Sequence, residues 1–108
     1  MQDILKKLYM VALERKSEPS EKSYTRYLYD KGLDKILKKV GEECAETIIA
    51  AKNGDNQETV LEICDLIYHL MVLMVEQDIR LEDVTGELEK RSQKTGNLKT
   101  IRDTDKNT

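Results

Sequence analysis

From about Asn56 to Asp78 the chain is apolar around most of a helical circumference. Leu61, Ile63, Leu66, Ile67, Leu70, Met71, Val72, Leu73, Met74 and Val75 leave only one narrow polar strip, made of Glu58, Glu62, Asp65, His69 and Glu76. Such a helix must be covered on nearly every side, so it predicts a helical bundle whose central member turns its acidic strip toward a partly enclosed space. The other segments fit that frame. Ile4, Leu5, Leu8, Val11 and Ala12 have helical spacing, which predicts a helix from Asp3 to about Arg15. The polar stretch from Lys16 to Lys22 holds the only proline, Pro19, and reads as a loop. A short helical piece from Ser23 to Asp30 ends at Lys31-Gly32, and a long helix follows until Asn53-Gly54 closes it. Its expected core stripe is Leu33, Ile36, Leu37, Val40, Cys44, Thr47, Ile48 and Ala51. A last helix spans roughly Leu81 to Ser92. With no alternating strand pattern and no internal repeat, the expected fold is all-α, a bundle of four to five helices.

Acidic residues on the two central helices carry most of the chemistry. Glu42, Glu43 and Glu46 stand on the first, and Glu62 and Asp65 on the second. Residues three and four apart share one side of a helix, so Glu43 with Glu46 and Glu62 with Asp65 form two pairs that antiparallel packing can bring face to face. Four carboxylates gathered without a cation would repel one another and partly protonate. Hard cations such as Mg²⁺ take oxygen ligands, so the cluster predicts a divalent metal site at Glu43, Glu46, Glu62 and Asp65. Glu43 falls at the edge of the expected core stripe, Glu46 further out and Glu42 furthest. The solvated-face alternative predicts instead that these acids point to water.

Charge is unevenly spread. Residues 1–41 hold ten Lys/Arg against six Asp/Glu, whereas 42–79 hold one against nine. Basic residues beside an acidic centre suit a metal-plus-polyphosphate site, and Lys35, Lys38 and Lys39 stand just before the acids as candidates to meet phosphate. No basic stripe dominates the chain, which argues against nucleic acid. The N-terminal segment lacks the continuous apolar region of a secretory signal, and no run reaches membrane-spanning length, so a soluble cytoplasmic protein is expected. Cys44 and Cys64 sit inside apolar helical patterns and read as reduced core thiols. At 108 residues there is room for one domain, expected over 1–95 with a polar tail over 96–108. A chain this size buries roughly 65% of its unfolded surface, so self-association would add useful burial.

Several stretches together resemble phosphoribosyl-ATP pyrophosphohydrolases of the all-α nucleoside triphosphate pyrophosphohydrolase superfamily. They are Ser23-Tyr24-Thr25, Leu28-Tyr29-Asp30-Lys31-Gly32, Lys38-Lys39-Val40-Gly41-Glu42-Glu43 with Glu46, and Glu62 with Asp65-Leu66-Ile67-Tyr68-His69-Leu70. The resemblance implies hydrolysis of phosphoribosyl-ATP to phosphoribosyl-AMP and pyrophosphate, the second step of histidine biosynthesis. It further implies a homodimer, a Mg²⁺ cofactor, and Glu42, Glu43, Glu46, Glu62 and Asp65 as the catalytic set. Glu42 completes a second metal position or orients water in that picture, while Ser23, Tyr24 and Thr25 carry over as substrate contacts. Tyr24, Tyr27 and Tyr29 are candidates to stack on adenine, His69 is a candidate partner of the acids, and Arg91 and Lys94 are candidates for closing over substrate. Three alternatives remain at this point. One is a pyrophosphohydrolase for another nucleotide. A di-iron bundle would need two Glu-x-x-His motifs, which the single histidine does not supply. A non-enzymatic helical interaction module is the third.

Overall fold

The computed structural model describes residues 2–17 and 23–93. Five helices form: α1 (Gln2–Ser17), α2 (Tyr24–Lys31), α3 (Leu33–Lys52), α4 (Asn56–Glu76) and α5 (Leu81–Ser92). No strand occurs among the described residues, so the fold is all-α as expected. The expected tail over 96–108, with Lys94, lies outside them.

Local chemistry sets the helix limits. The Ser23 side chain caps α2 by accepting from the Arg26 amide at 3.2 Å, and the Asp55 carboxylate caps α4 by accepting from the Glu58 amide at 3.0 Å. Gly32 separates α2 from α3 with φ +94° and ψ −174°, a backbone region essentially reserved for glycine. Its amide returns to the Leu28 carbonyl at 3.0 Å, closing α2 while α3 begins at once. Between α4 and α5, Asp78 takes φ +57° and lets the Ile79 amide reach the Met74 carbonyl at 2.8 Å.

The connection of only Asn53, Gly54 and Asp55 folds α3 and α4 into a helical hairpin. α1, α2 and the start of α5 close over its far end, where Ala12, Leu28, Ile36, Met71, Val72, Val75 and Leu81 form the buried core. Leu28, Ile36 and Val72 are fully enclosed. Polar ties hold the layers in register. The Tyr29 hydroxyl donates to the Ala12 carbonyl at 2.7 Å, the Tyr9 hydroxyl to the Ile79 carbonyl at 2.8 Å, and Lys16 pairs with Glu76 at 3.3 Å. Burial raises the Tyr29 phenol pKa, so it stays a donor. No helix among the described residues is long and apolar enough to cross a membrane.

Two expectations need correction. α3 is rotated by about one residue from its expected register: Ile36, Glu43 and Ala50 are its buried positions, whereas Leu37, Cys44, Ile48 and Ala51 are exposed. Cys44 and Cys64 are therefore surface thiols of this chain rather than core ones. The first half of α4 is also less covered than its composition demands, with Val60, Leu61 and Ile63 exposed. Both departures share one cause. α3 and α4 pack through their acidic sides, which leaves much of their apolar surface outward.

Candidate metal centre

Glu43 on α3 and Glu62 on α4 are buried, at 6% and 8% exposure, and face each other across the hairpin. Carboxylate oxygens of Glu43, Glu62 and the exposed Asp65 lie within 4.8 Å of one another. One oxygen of Glu43 and one of Glu62, both Oε2, are shut from solvent without a hydrogen-bond partner. Uncompensated buried carboxylates are costly, and like charges this close cannot all ionise comfortably. The Glu62 pKa is accordingly pushed up to about 8, first by its hydrogen bond with Glu46, then by that with Glu43, and then by burial and by Glu58. As anions these groups have no donor among them; a proton on Glu62 supplies one. A divalent cation would do the same for all of them, and the oxygen-only donor set suits a hard ion such as Mg²⁺. The residues present thus fit the group.

Glu46 is exposed and lines a cavity of about 440 Å³ together with Glu62, Glu58, Asp55, Asn53, Ile49 and Ala50. Helical spacing placed Glu43, Glu62 and Asp65 together; Glu46 adjoins them through Glu62. Glu58, part of the same acidic strip, joins this edge and was not singled out as a site residue, although its position one turn before Glu62 was the available signal.

Basic and aromatic groups border the acids. Lys39 lies 3.5 Å from Glu42 and 3.9 Å from Glu43. Burial works against its charge, but Tyr24, Glu42 and Glu43 outweigh that and raise its pKa. Glu42 is exposed and engaged by Lys39, Lys38 is exposed, and Lys35 lies over the Tyr27 ring, 6.0 Å from its centre. His69 is 5% exposed. Its Nδ1 lies 2.7 Å from the Asp65 carbonyl, which can only accept, so Nδ1 carries the hydrogen; whenever the ring is neutral, its Nε2 accepts from the Tyr24 hydroxyl at 2.8 Å. The same Nδ1 is 3.9 Å from Glu43. His69 therefore ties α2 to the acidic hairpin. Burial, countered by Lys39 and reinforced by Glu43, Asp65 and Glu42, raises the Tyr24 pKa.

Of the residues expected at substrate, Tyr24 and Tyr27 present exposed rings, 6.5 Å apart and stacked. The Ser23 hydroxyl is engaged as the α2 cap, and the buried Thr25 hydroxyl bonds that of Tyr68, so both have partners within the fold. Tyr29 is turned to the core instead, and Arg91 pairs with Glu87 at 3.0 Å along α5.

Comparison with known proteins places the chain in a family. The family profile described as phosphoribosyl-ATP pyrophosphohydrolase matches residues 5–92. A phosphoribosyl-ATP pyrophosphatase of Clostridium novyi is 55% identical over 97 residues, covering 90% of this chain and 88% of the relative. One from Bacillus mycoides is 50% identical over 105 residues, covering 97% and 98%. The histidine biosynthesis bifunctional protein HisIE of Caldanaerobacter subterraneus is 58% identical over 92 residues, 85% of this chain but 45% of the relative.

Proposed function

This chain belongs to the phosphoribosyl-ATP pyrophosphohydrolase family, and we propose that it hydrolyses phosphoribosyl-ATP to phosphoribosyl-AMP and pyrophosphate in histidine biosynthesis, using Mg²⁺ held by Glu43, Glu62 and Asp65 with Glu46 beside them. The observation that carries the metal assignment is that Glu43 on α3 and Glu62 on α4 each keep one buried carboxylate oxygen without a hydrogen-bond partner, in a group whose ligand oxygens, with Asp65, lie within 4.8 Å of one another.

The reaction adds water across a phosphoric anhydride, where catalysis is mostly positioning and neutralisation of phosphate charge. Mg²⁺, when bound, supplies that neutralisation at the phosphate oxygens. The protein's own residues do the rest. Glu43 and Glu62 are held by helix packing rather than by flexible loops, so the ligand oxygens need little reordering on binding. Lys39 adds positive charge beside them, with Lys38 along the same helix as a further phosphate contact, while Lys35 stands one turn earlier at the Tyr27 ring. His69 fixes Tyr24 over the acids, keeping an aromatic ring at the mouth of the site. Glu42 stands next to the ligands as an accessible carboxylate able to orient water.

A homodimer belongs to the same reading. Ile48 and Ile49 on α3 and Val60 and Leu61 on α4 are each 58% exposed or more, an apolar surface that a second copy would cover. The single domain of 1–95 and a cytoplasmic location, where intermediates of amino-acid synthesis are made, complete it. The test is pyrophosphate release from phosphoribosyl-ATP compared with a panel of ordinary and damaged nucleoside triphosphates. Preference for phosphoribosyl-ATP supports the assignment, and comparable turnover of another triphosphate replaces it with the superfamily alternative.

A further inference from the structure

Tyr24 and Tyr27 form an exposed shelf that leads away from the acidic centre. Glu43, His69, Tyr24 and Tyr27 follow one another in contacts no longer than 6.5 Å. At the far end two ammonium groups from different helices gather at one ring: Lys31 from α2 lies 5.8 Å from the Tyr27 centre, and Lys35 from α3 lies 6.0 Å from it. Their convergence depends on Gly32, whose φ of +94° starts α3 directly after α2 ends. Within 4.0 Å neither lysine has a carboxylate among the described residues; nearby Asp30 is taken by Arg26 at 3.1 Å. Two cations beside one ring, neither with a carboxylate among the described residues, are placed to receive an anion.

Resting on the proposed activity, we propose that Lys31 and Lys35 bind the phosphomonoester of the substrate's extra ribosyl group, making them the residues that distinguish phosphoribosyl-ATP from ATP. The order of groups along that substrate matches the order on the protein. The triphosphate hangs from the ribose on one ring of the purine, and the additional ribosyl phosphate is attached to the other ring. With the triphosphate at Glu43, Glu62 and Asp65, the purine reaches the Tyr24–Tyr27 shelf, where aromatic faces accept a base by stacking. The remote phosphate then falls beside Lys31 and Lys35. ATP and AMP lack that group and leave the two lysines unused.

The experiment is calorimetric titration with phosphoribosyl-AMP and with AMP, for the wild type, Lys31→Gln/Lys35→Gln and Tyr27→Leu, with folding checked by circular dichroism. The expected result is that the double lysine variant binds phosphoribosyl-AMP about 10- to 100-fold more weakly, the loss of charged hydrogen bonds, while its affinity for AMP changes less than about 3-fold. Tyr27→Leu should weaken both ligands together. If the lysine variant loses affinity for both ligands equally, or for neither, the proposal is overturned. A separate hydrolysis assay of the wild type keeps the two readings apart: absence of turnover there refutes the proposed activity, whereas the difference between the two ligands judges Lys31 and Lys35.

Discussion

The Tyr24 hydroxyl and His69 Nε2 meet at 2.8 Å, and that bond ties α2 to the acidic hairpin beside Glu43 and Asp65. Because Nδ1 of the same ring is committed to the Asp65 carbonyl, Nε2 can only accept from Tyr24 while the ring is neutral. Tyr24→Phe should therefore cost about 1 kcal/mol of stability, read from urea denaturation. A larger loss of ligand affinity than of stability would mark the hydroxyl as a substrate contact as well.

Glu62 makes the metal-free protein sensitive to pH. Its proton is held up to about 8, against an ordinary value of 4.5, so between those values the folded state binds more protons than the unfolded state. Stability from this group is fully present below 4.5 and is lost as pH rises through 8. Glu62→Gln mimics the protonated acid at every pH. In chelator, its melting temperature should match the wild type near the acid end of that window and exceed it near the alkaline end. A difference that does not change with pH would contradict the shared proton.

A side-chain carbon added at Gly32 would meet nothing within 4 Å, so its φ alone demands glycine. Gly32→Ala should cost about 1–3 kcal/mol and separate Lys31 from Lys35. Denaturant midpoints measure the first effect, and weaker phosphoribosyl-AMP binding the second.

The exposed apolar side of the hairpin makes a prediction about assembly. Ile48→Glu with Leu61→Glu, at positions 68% and 58% exposed, should leave the single chain folded and give a monomer in analytical ultracentrifugation. An unchanged dimer would move the interface elsewhere.

Helix limits were legible because short-range chemistry sets them. Lys31-Gly32, Asn53-Gly54 and the acid at position 55 act on their own neighbours, and the observed limits of α3 and α4 follow. The pairing of Glu43 with Glu62 and Asp65 was legible for the same reason, since helical spacing places them whatever surrounds the hairpin. The rotation of α3 was not. Periodicity locates the apolar side of a helix but not which side its partner covers, and here α4 covers the side carrying Glu43, leaving Cys44 and Ile48 outside. The convergence of Lys31 and Lys35 on Tyr27 was equally hidden, because it depends on one glycine's dihedral angles rather than on residue spacing.

The most direct measurement is Mg²⁺-dependent release of pyrophosphate from phosphoribosyl-ATP by the wild type, Asp65→Asn and Glu62→Gln. The wild type should require Mg²⁺, and each variant should lose about 10³-fold in rate while remaining folded. Either variant working at the wild-type rate would contradict a metal centre built from the facing acids of α3 and α4.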